Sequence, residues 1–476
     1  MEQAEIGLIG LGVMGANLSL NIAEKGNKIA VLNRTVERTD KFMKEAGDLK
    51  SQIIPCHTIE EFVAAIRPPR PIIIMIKAGE PVDQQIAQLQ PYLEAGDIMI
   101  DAGNANFRDT MARFDRLKGT GLTFIGMGVS GGEEGARHGP SIMVGGAEDS
   151  WKRVEKVLTS IAAKYKGEPC VAWLGENGAG HFVKTIHNGI EYADMQMIAE
   201  IYGILRDGLG KTAPEMSAIF GEWNKGRLNS YLIEITEKVL STADPVTGKP
   251  IVDMILDKAG QKGTGKWSVI EAQNMGVPAT AIEAAVAARS LSAAKDQREA
   301  AEAIFGKAPV TFPIAYGTEL LNDLELALFA AKIGAYAQGF AVMAEASREF
   351  GWSLPMPTIA RIWRAGCIIR SQFLDEITTA FTANPDAANL IVTPAFSAMV
   401  KESIPSLRRV VAAALSAGLP VPALASALTY FDAYRQGRGT ANLIQAQRDF
   451  FGAHGFDRID GVDQHHGPWG SGVGAA

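Results

Sequence analysis

Residues 5–15 read EIGLIGLGVMG, a short apolar run that turns through three glycines into a helical pattern. The glycines are Gly10, Gly12 and Gly15, which is the G-x-G-x-x-G spacing that joins a strand to a helix in dinucleotide-binding domains. Gly10 permits the tight turn, Gly12 lets the backbone approach a pyrophosphate, and Gly15 lets helix and strand pack closely. The free N–H groups at the helix N-terminus, around Val13 and Met14, then face the phosphates. The stretch predicts an α/β domain that holds a dinucleotide.

The end of the next strand predicts which dinucleotide is held. Residues 28–32, KIAVL, are predicted to form a strand that leads into Asn33, Arg34 and Thr35. An NAD site usually places Asp or Glu about 20 residues beyond the glycines to accept the ribose hydroxyls, and no carboxylate stands here. Arg34 offers a guanidinium to a 2′-phosphate, and its neighbours add neutral hydrogen-bonding groups. We therefore predict NADP; the alternative, a plain surface arginine, is disfavoured by the missing acid.

Further strands are predicted at 71–76, 97–101 and 123–129, with helical segments between them. Each ends in a loop of unusual composition: Lys77-Ala78-Gly79, Asp101-Ala102-Gly103-Asn104 and Ser130-Gly131-Gly132. Ligands of open parallel sheets lie beyond the carboxyl ends of the strands, so these loops should line one crevice. A strand at 141–145, a helix at 147–164 and a strand near Val171 complete a Rossmann-type domain over residues 1–177.

A helix that begins near residue 178 carries the candidate chemistry. Lys184, His187, Asn188 and Glu191 fall at i, i+3, i+4 and i+7, so one face presents an amine, an imidazole, an amide and a carboxylate. These groups suit proton transfer. The alternative is a solvated polar face. That alternative is weakened because the residues opposite this face are apolar and would bury the helix in a core; they are Phe182, Val183, Ile186 and Ile190.

Beyond Glu176 the strand pattern gives way to alanine-rich helical segments. We predict helices at 178–207, 213–240, 279–305, 313–350, 358–380, 403–417 and 421–436, which form an all-α domain over 178–436. Residues 437–476 are glycine-rich and predict an irregular C-terminal tail, with docking favoured by the aromatic residues in 445–454. Within 324–344, Glu325, Lys332 and Gln338 favour a buried helix over a membrane span, and its small residues make 323–344 a candidate subunit interface.

The segment GQKGTGKW at 260–267 nearly spells a P-loop. Trp267 replaces the hydroxyl that binds Mg²⁺ and no strand precedes the segment, so no nucleoside triphosphate site is assigned. A mobile glycine loop with Lys262, Thr264 and Lys266 could instead grip a phosphate monoester. A basic surface loop is an equally good interpretation.

The bulk properties exclude some classes of protein. The chain has 476 residues, 47% of them hydrophobic and 21% charged, and a net charge of −7 that argues against a nucleic-acid-binding surface. Three scattered cysteines predict neither a zinc ribbon nor disulfides and fit a reducing cytoplasm. The first strand begins too close to Met1 for a signal peptide. The adjacent pair His465 and His466 rarely shares one ion, so no metal is assigned.

Together these motifs resemble the decarboxylating 6-phosphogluconate dehydrogenases over nearly the whole chain. The resemblance rests on IGLGVMGANL at 9–18, NRT at 33–35, GVSGGEEGARHGPSIMVGG at 128–146, GAGHFVKTIHNGIEYADMQ at 178–196, GQKGTGKW at 260–267 and QAQRDFFGAH at 445–454. The wider β-hydroxyacid dehydrogenase superfamily shares the glycine triplet, the Ser-Gly-Gly loop and G-x-G-x-x-x-K-x-x-x-N, whereas the last two motifs single out the sugar-acid branch.

The resemblance implies a role for each matched residue. Lys184 would be the general base and later the electrophile, and Glu191 the acid that protonates the product. The carboxylate and hydroxyls of a phosphorylated sugar acid would be held by Asn104, Ser130, Gly131, Gly132, His187 and Asn188. Its phosphate would be held by Tyr192, Lys262, Thr264, Arg289 and Arg448, with His454 close by. Arg448 and His454 would come from the tail of a second subunit, which implies a homodimer with shared active sites.

The chain departs from the family pattern at two places. The family commonly has Asp-Gly-Gly-Asn where this chain has Ala102 in the second position, and then Ser-Glu-Tyr or similar where this chain has Ala105-Asn106-Phe107. The residues from Asp460 onward match the family pattern loosely. These changes concern cofactor and tail contacts rather than the chemistry. Two other functions stay open from the residues alone: another β-hydroxyacid dehydrogenase, such as one for 3-hydroxyisobutyrate, or a non-catalytic NADP-binding protein.

Overall fold

The structure, a computed structural model, describes residues 3–261, 263–307 and 311–469. The chain forms two compact units, Met1–Leu428 and Thr429–Ala476. The larger unit contains an α/β part followed by a long series of helices. This arrangement confirms the predicted order of a Rossmann-type domain and a large helical domain.

The α/β part is built on one eight-stranded sheet. Its strands, in chain order, are β1 (Ile6–Ile9), β2 (Ile29–Leu32), β3 (Ile53–Cys56), β4 (Pro71–Ile74), β5 (Ile98–Asp101), β6 (Thr123–Val129), β7 (Ile142–Gly146) and β10 (Val171–Gly175). The spatial order is β10-β7-β6-β5-β4-β1-β2-β3, and every pair is parallel except β6 with β7. The order reverses between β1 and β4, which is where such sheets open a ligand crevice.

Helices cover both faces of the sheet. They are α1 (Val13–Glu24), α2 (Val36–Glu45), α3 (Ile59–Ala64), α4 (Glu80–Leu89), α5 (Phe107–Leu117), α6 (Gly132–His138) and α7 (Glu148–Ile161). Along β4, Ile73 joins one hydrophobic cluster while Ile72 and Ile74 join the other. A parallel strand that is buried on both faces reads as a continuous apolar run, as this one does.

The predicted strands are confirmed to within about two residues. Two further features were not predicted from the sequence. Strand β3 contains Pro55 and lies at the sheet edge, where a missing N–H is tolerated. A two-stranded hairpin, β8 (Lys164–Tyr165) with β9 (Glu168–Pro169), follows α7.

The remaining helices are longer and less evenly spaced. They are α8 (Ala179–Gly203), α9 (Ala213–Trp223), α10 (Tyr231–Ser241), α11 (Thr264–Asn274), α12 (Thr280–Ala293), α13 (Lys295–Phe305), α14 (Thr318–Phe350), α15 (Met356–Ile362), α16 (Phe373–Ala383), α17 (Pro394–Ser416), α18 (Pro422–Tyr434) and α19 (Ala441–Gly452). A π-helical turn, Ile204–Gly208, extends α8.

Several predicted helix bounds were wrong. The segment 213–240 breaks before Ser230, whose side chain caps α10 by accepting from the N–H of Ile233. The segment 279–305 breaks at Ala294, and 358–380 is divided between α15 and α16. Helix α17 begins at Pro394 rather than 403, with Pro405 inside the helix instead of in its first turn.

Helix α14 is the apolar helix of 33 residues that could cross a membrane by length and composition alone, but 89% of its most apolar window is buried inside the fold. The small residues Ala327, Ala331 and Ala335 are fully buried. The prediction that 323–344 forms a subunit interface was therefore wrong, because these side chains are already covered by the same chain.

The smaller unit contains a helix that its composition did not predict. Helix α19 is followed by irregular chain organised around the buried carboxylate of Asp449. This carboxylate accepts from the backbone N–H of Gly455 and Gly467 and from the indole of Trp469. These hydrogen bonds hold the pKa of Asp449 well below its usual range.

Candidate active site

The three glycines of the first turn have the geometry that a dinucleotide requires. Gly10 has φ of +105°, a conformation that side chains other than glycine rarely adopt. A Cβ on Gly15 would lie 1.9 Å from the carbonyl oxygen of Gly10, so helix and strand could not pack as they do. A Cβ on Gly12 would meet nothing within 4 Å. That open face lies at the N-terminus of α1, where a pyrophosphate fits.

The residues predicted to read the 2′-phosphate follow β2. Asn33 Oδ1 accepts from the backbone N–H of Leu11 at 3.0 Å, so its side chain braces the glycine turn. Arg34 and Thr35 are exposed, and within the described residues the Arg34 guanidinium makes neither a hydrogen bond nor an ion pair. Lys77 and Asn104 are exposed beyond β4 and β5 at the same edge of the sheet. Val13 and Met14 open α1, with Val13 exposed.

The first turn of α8 packs on the antiparallel pair β6–β7 through glycines. A Cβ on Gly180 would lie 2.4 Å from the carbonyl oxygen of Gly126 and 2.5 Å from the backbone nitrogen of Gly145. One turn further, a Cβ on Gly128 would lie 2.5 Å from Cβ of Lys184. The glycines of β6 therefore seat Lys184 directly against the strand that leads to the Ser130 loop.

The amine of Lys184 is buried, with 7% of the residue exposed, and makes two hydrogen bonds. Nζ donates to Ser130 Oγ at 3.0 Å and to Asn188 Oδ1 at 2.8 Å. Burial lowers the pKa of Lys184, against the opposing effect of Glu191. A neutral amine that donates both of its hydrogens in this way keeps a lone pair free, which is the state that a general base needs.

His187 completes the same network. Its Nδ1 lies 3.0 Å from Asn188 Oδ1, and its Nε2 lies 3.4 Å from Ser130 Oγ. Burial lowers the pKa of His187 well below its usual value, so the ring is neutral. The hydrogen bonds are all satisfied when Nδ1 donates to Asn188 and Nε2 accepts from Ser130. Asn188 Nδ2 in turn donates to Thr264 Oγ1 at 3.0 Å, which fixes the orientation of the amide.

Glu191 lies one turn beyond His187, with its Oε2 at 3.8 Å from His187 Nδ1. Its side chain is 20% exposed, the most accessible of the four groups on this face. Burial raises the pKa of Glu191, although Lys184 and Arg289 act in the opposite direction. A carboxyl group with a raised pKa can carry a proton near neutral pH and deliver it to a reacting atom.

The loop after β6 follows directly from Ser130. Gly131 and Gly132 both have positive φ, +104° and +62°, and a Cβ on Gly131 would lie 2.5 Å from the carbonyl oxygen of Gly366. The loop thus presents backbone rather than side chains beside Lys184. A small ligand with oxygen atoms can approach it closely.

A second group of residues lies at the N-terminus of α11. The guanidinium carbon of Arg289 lies 3.4 Å from the centroid of the Tyr192 ring, and a Cβ on Gly265 would lie 2.5 Å from that ring. Thr264 is the first residue of α11 and is 5% exposed. Since Thr264 is bonded to Asn188, this cationic group lies next to the lysine network. An arginine, a tyrosine and a helix N-terminus suit a phosphate.

The structure corrects the interpretation of the 260–267 segment as a loop. Thr264 and Lys266 lie inside α11, and Thr264 is buried. Lys262 lies outside the described residues. Arg448 and His454 are exposed residues of the smaller unit, on α19 and just after it.

Residues that the sequence did not indicate also surround Lys184. The Trp363 ring makes an edge contact with His187 at 5.4 Å, and the thiol of Cys367 donates to the carbonyl oxygen of Trp363 at 3.0 Å. Burial raises the pKa of Cys367 to about 12, so this thiol is unreactive. The described residues include no group of three or more His, Cys, Asp or Glu side chains that could hold a metal ion.

A dinucleotide-type sheet followed by a helical domain whose first helix carries a buried lysine defines the class of two-domain nucleotide-dependent dehydrogenases. Two family models match the chain: the NAD binding domain of 6-phosphogluconate dehydrogenase over residues 5–175, and the 6-phosphogluconate dehydrogenase C-terminal domain over residues 180–469. The chain belongs to the 6-phosphogluconate dehydrogenase family.

Named relatives match over nearly the full length. The chain is 47% identical over 469 residues to the NADP(+)-dependent, decarboxylating 6-phosphogluconate dehydrogenase of Bacillus subtilis, covering 98% of this chain and 100% of the relative. It is 49% identical to a decarboxylating 6-phosphogluconate dehydrogenase of Saccharomyces cerevisiae, and the match covers 95% of this chain and 92% of the relative. The solved 6-phosphogluconate dehydrogenase of Plasmodium falciparum superposes with a TM-score of 0.94 at 43% identity, and the match covers 98% of this chain and 100% of the solved one.

Proposed function

We propose that this protein oxidises and decarboxylates 6-phospho-D-gluconate to D-ribulose 5-phosphate and CO₂, reducing NADP to NADPH. One observation carries the proposal: the buried amine of Lys184 is held by Ser130 and Asn188 at the end of β6, at the same edge of the sheet at which β4 and β5 end. In that position a neutral lysine can reach a sugar hydroxyl bound between the sheet edge and α8. The family relation over the whole chain supports the same substrate.

The proposed chemistry uses Lys184 twice. Bound NADP supplies the hydride acceptor for C3 of the substrate. Lys184 takes the proton of the C3 hydroxyl, and the product is a 3-keto acid whose carboxylate is β to the carbonyl. As the C1–C2 bond breaks and CO₂ leaves, its electrons move into that carbonyl. The lysine, now an ammonium, stabilises the developing enolate oxygen.

Glu191 ends the reaction by protonating the carbon that was C2 of the substrate and becomes C1 of the product, while the electrons of the enolate oxygen return to form the ketone of the product. The proton that Lys184 took from the C3 hydroxyl then balances the one that Glu191 has given up. The raised pKa of the Glu191 carboxyl group, which results from burial, supports this role. We assign the hydroxyls and carboxylate of the substrate to Asn104, Ser130, Gly131, Gly132, His187 and Asn188. We assign the phosphate to Tyr192, Lys262, Thr264 and Arg289, together with Arg448 of a second copy, and place His454 of that copy nearby.

The open face of Gly12 and the unpaired guanidinium of Arg34 fit NADP. The residues proposed to hold it are Gly10, Gly12, Val13, Met14, Gly15, Asn33, Arg34, Thr35, Lys77 and Asn104. A 2′-phosphate placed on Arg34 would gain charge-assisted hydrogen bonds that NAD cannot make.

We propose further that the chain works as a homodimer with shared active sites in the cytoplasm. Helix α13 has no buried residue, and its Ile304 and Phe305 are 75% and 84% exposed. Helix α19 likewise exposes Leu443 and Phe451. Exposed apolar side chains on two helices support a partner surface. The proposed domains are 1–177, 178–436 and 437–476. The first boundary is supported by the family models that end at 175 and begin at 180.

One assay tests the chemistry. NADPH absorbance and CO₂ release are followed with 6-phosphogluconate for the wild type, Lys184→Ala and Glu191→Ala. The wild type is expected to release one CO₂ for each NADPH formed, and both variants are expected to lose turnover. Hydride transfer without CO₂ release would defeat the decarboxylase proposal. Full activity of Lys184→Ala would exclude lysine as the base.

Mixed dimers test the shared site. Lys184→Ala and Arg448→Ala chains are each expected to be inactive alone. If the tail serves the partner, the mixed dimer has one site with both residues intact, and random mixing recovers about a quarter of wild-type activity. If each tail serves its own subunit, mixing recovers nothing.

A further inference from the structure

An ion pair ties helix α11 to α5 of the nucleotide-binding part of the chain. Nε of Arg108 donates to Oε1 of Glu271 at 2.9 Å, and Nη2 of Arg108 donates to Oε2 of Glu271 at 2.6 Å. The Glu271 side chain is 4% exposed, whereas that of Arg108 is 46% exposed. A planar guanidinium that meets a buried carboxylate in this paired way fixes the orientation as well as the distance of the two groups.

Each partner stands next to a part of the proposed site. Arg108 is the second residue of α5, directly after the loop that carries Asn104, and its backbone N–H donates to the capping side chain of Asn106. Glu271 lies seven residues after Thr264 on α11, which is two helical turns along the same face. The pair therefore joins the cofactor edge of the site to its phosphate end.

The same face of α11 is fixed to α8 at two other points. Thr264 Oγ1 accepts from Asn188, and a Cβ on Gly189 would lie 2.4 Å from Ser268 Oγ. These contacts place α11 relative to the lysine network and, through α8, relative to β6. The ion pair adds a direct connection to α5, beside the loop that follows β5. The Arg108 guanidinium is itself held, with its central carbon 5.1 Å from the Phe107 ring centroid and 5.9 Å from that of Phe350.

We infer that Arg108 and Glu271 are positioning residues that hold the N-terminus of α11, and with it the phosphate end of the substrate, at a fixed distance from the cofactor edge. The inference rests on the proposed function. Hydride transfer is sensitive to this distance, because a displacement of about 1 Å can cost about a hundredfold in rate. The pair touches neither reacting atom and acts through the placement of α11.

The test compares Glu271→Gln and Arg108→Lys with Glu402→Gln. The control removes the carboxylate of another Arg–Glu pair, Arg227–Glu402 at 3.0 Å, in which both side chains are well exposed. Six quantities are measured: kcat and KM with 6-phosphogluconate, the isotope effect with substrate deuterated at C3, the calorimetric Kd of 6-phosphogluconate without NADP, the Kd of NADP, and the melting temperature.

Glu271→Gln is expected to lower kcat/KM for 6-phosphogluconate by about ten- to a hundredfold, to enlarge the isotope effect and to weaken substrate binding without NADP. The Kd of NADP should stay within about twofold of the wild type, since the nucleotide turn is untouched. Arg108→Lys keeps the charge but loses the paired geometry, so its kcat/KM should lie between that of Glu271→Gln and that of the wild type. Glu402→Gln should match the wild type.

The inference is overturned if Glu271→Gln and Arg108→Lys lower the melting temperature while kcat, KM and the isotope effect stay at wild-type values. If Glu271→Gln fails to fold, the kinetics of Arg108→Lys alone test the inference, because this variant leaves the buried carboxylate paired with a cation. A wild type with no turnover of 6-phosphogluconate would defeat the proposed function instead. An active wild type with unaffected variants defeats only the positioning role.

Discussion

The amine of Lys184 and the side-chain oxygen of Asn188 lie 2.8 Å apart, one helical turn from each other on α8. The same oxygen lies 3.0 Å from His187 Nδ1, while the amide nitrogen donates to Thr264. Asn188 is therefore a neutral acceptor beside a lysine that must lose its proton to act as a base. An amide suits this position because it accepts from the amine without stabilising the ammonium as a carboxylate would.

Asn188→Asp should make Lys184 a poorer base. A carboxylate at hydrogen-bond distance from an amine raises the amine pKa by about 1–3 units. In the wild type, activity is lost as the pH falls through the lowered pKa of Lys184, because the protonated amine cannot accept a proton. The acid limb of the kcat/KM profile should therefore move to higher pH in the variant. Asn229→Asp makes the same charge change at an exposed position and should leave the profile unchanged.

Gly128→Ala should displace Lys184 without harming cofactor binding. The new Cβ would lie 2.5 Å from Cβ of Lys184, which is the base of the side chain and cannot swing away as a flexible end could. We expect kcat to fall about tenfold or more, with the Kd of NADP unchanged. Gly203→Ala is the matched control, because it lies on α8 with nothing within 4 Å of its new Cβ. Wild-type kcat for Gly128→Ala would contradict the tight packing of α8 on β6.

The parts of the site that the sequence predicted are those set by local geometry. Gly10, Gly12 and Gly15 specify a turn within six residues, and a helical period brings Lys184 and Asn188 to one face. Neither inference needs any knowledge of how distant segments meet.

The parts that the sequence did not predict depend on contacts between distant segments. Arg108 and Glu271 are 163 residues apart, and no local pattern relates them. Trp363 reaches His187 from an unrelated helix end. The start of α11 was predicted as a loop because its glycines suggest flexibility, whereas burial of Thr264 against α8 holds the helix in place.

Arg34→Ala should weaken NADP far more than NAD. A charge-assisted hydrogen bond contributes about 1.5–3 kcal/mol, so we expect about a ten- to hundredfold rise in the Kd of NADP. Asn33→Asp should instead improve NAD binding, because it keeps an acceptor for Leu11 N–H and adds an oxygen for the ribose hydroxyls. Titration of both dinucleotides against both variants is the measurement. Equal losses of NAD and NADP in Arg34→Ala would show that this residue does not read the 2′-phosphate.

Glu200 should make the stability of the fold depend on pH. Its carboxylate accepts from the backbone N–H of Ala423 at 2.8 Å and of Leu424 at 2.9 Å, the first turn of α18. Burial raises the pKa of Glu200 to about 7, against the lowering effect of these hydrogen bonds. As the pH rises, Glu200 therefore loses its proton at a lower pH in the unfolded chain than in the folded one. The contribution of Glu200 is complete below about pH 4.5 and is lost as the pH approaches 7.

Glu200→Gln should remove that dependence. Glutamine does not ionise, but it offers one acceptor oxygen where Glu200 uses two, so the variant should be less stable than the wild type near pH 5. The free energy of unfolding of the wild type should then fall relative to that of the variant between pH 5 and pH 8, by up to about 3 kcal/mol. Melting temperatures across this range for wild type, Glu200→Gln and the exposed control Glu402→Gln provide the comparison. A difference in melting temperature between the wild type and Glu200→Gln that stays constant from pH 5 to pH 8 would mean that the pKa of Glu200 is not raised in the fold.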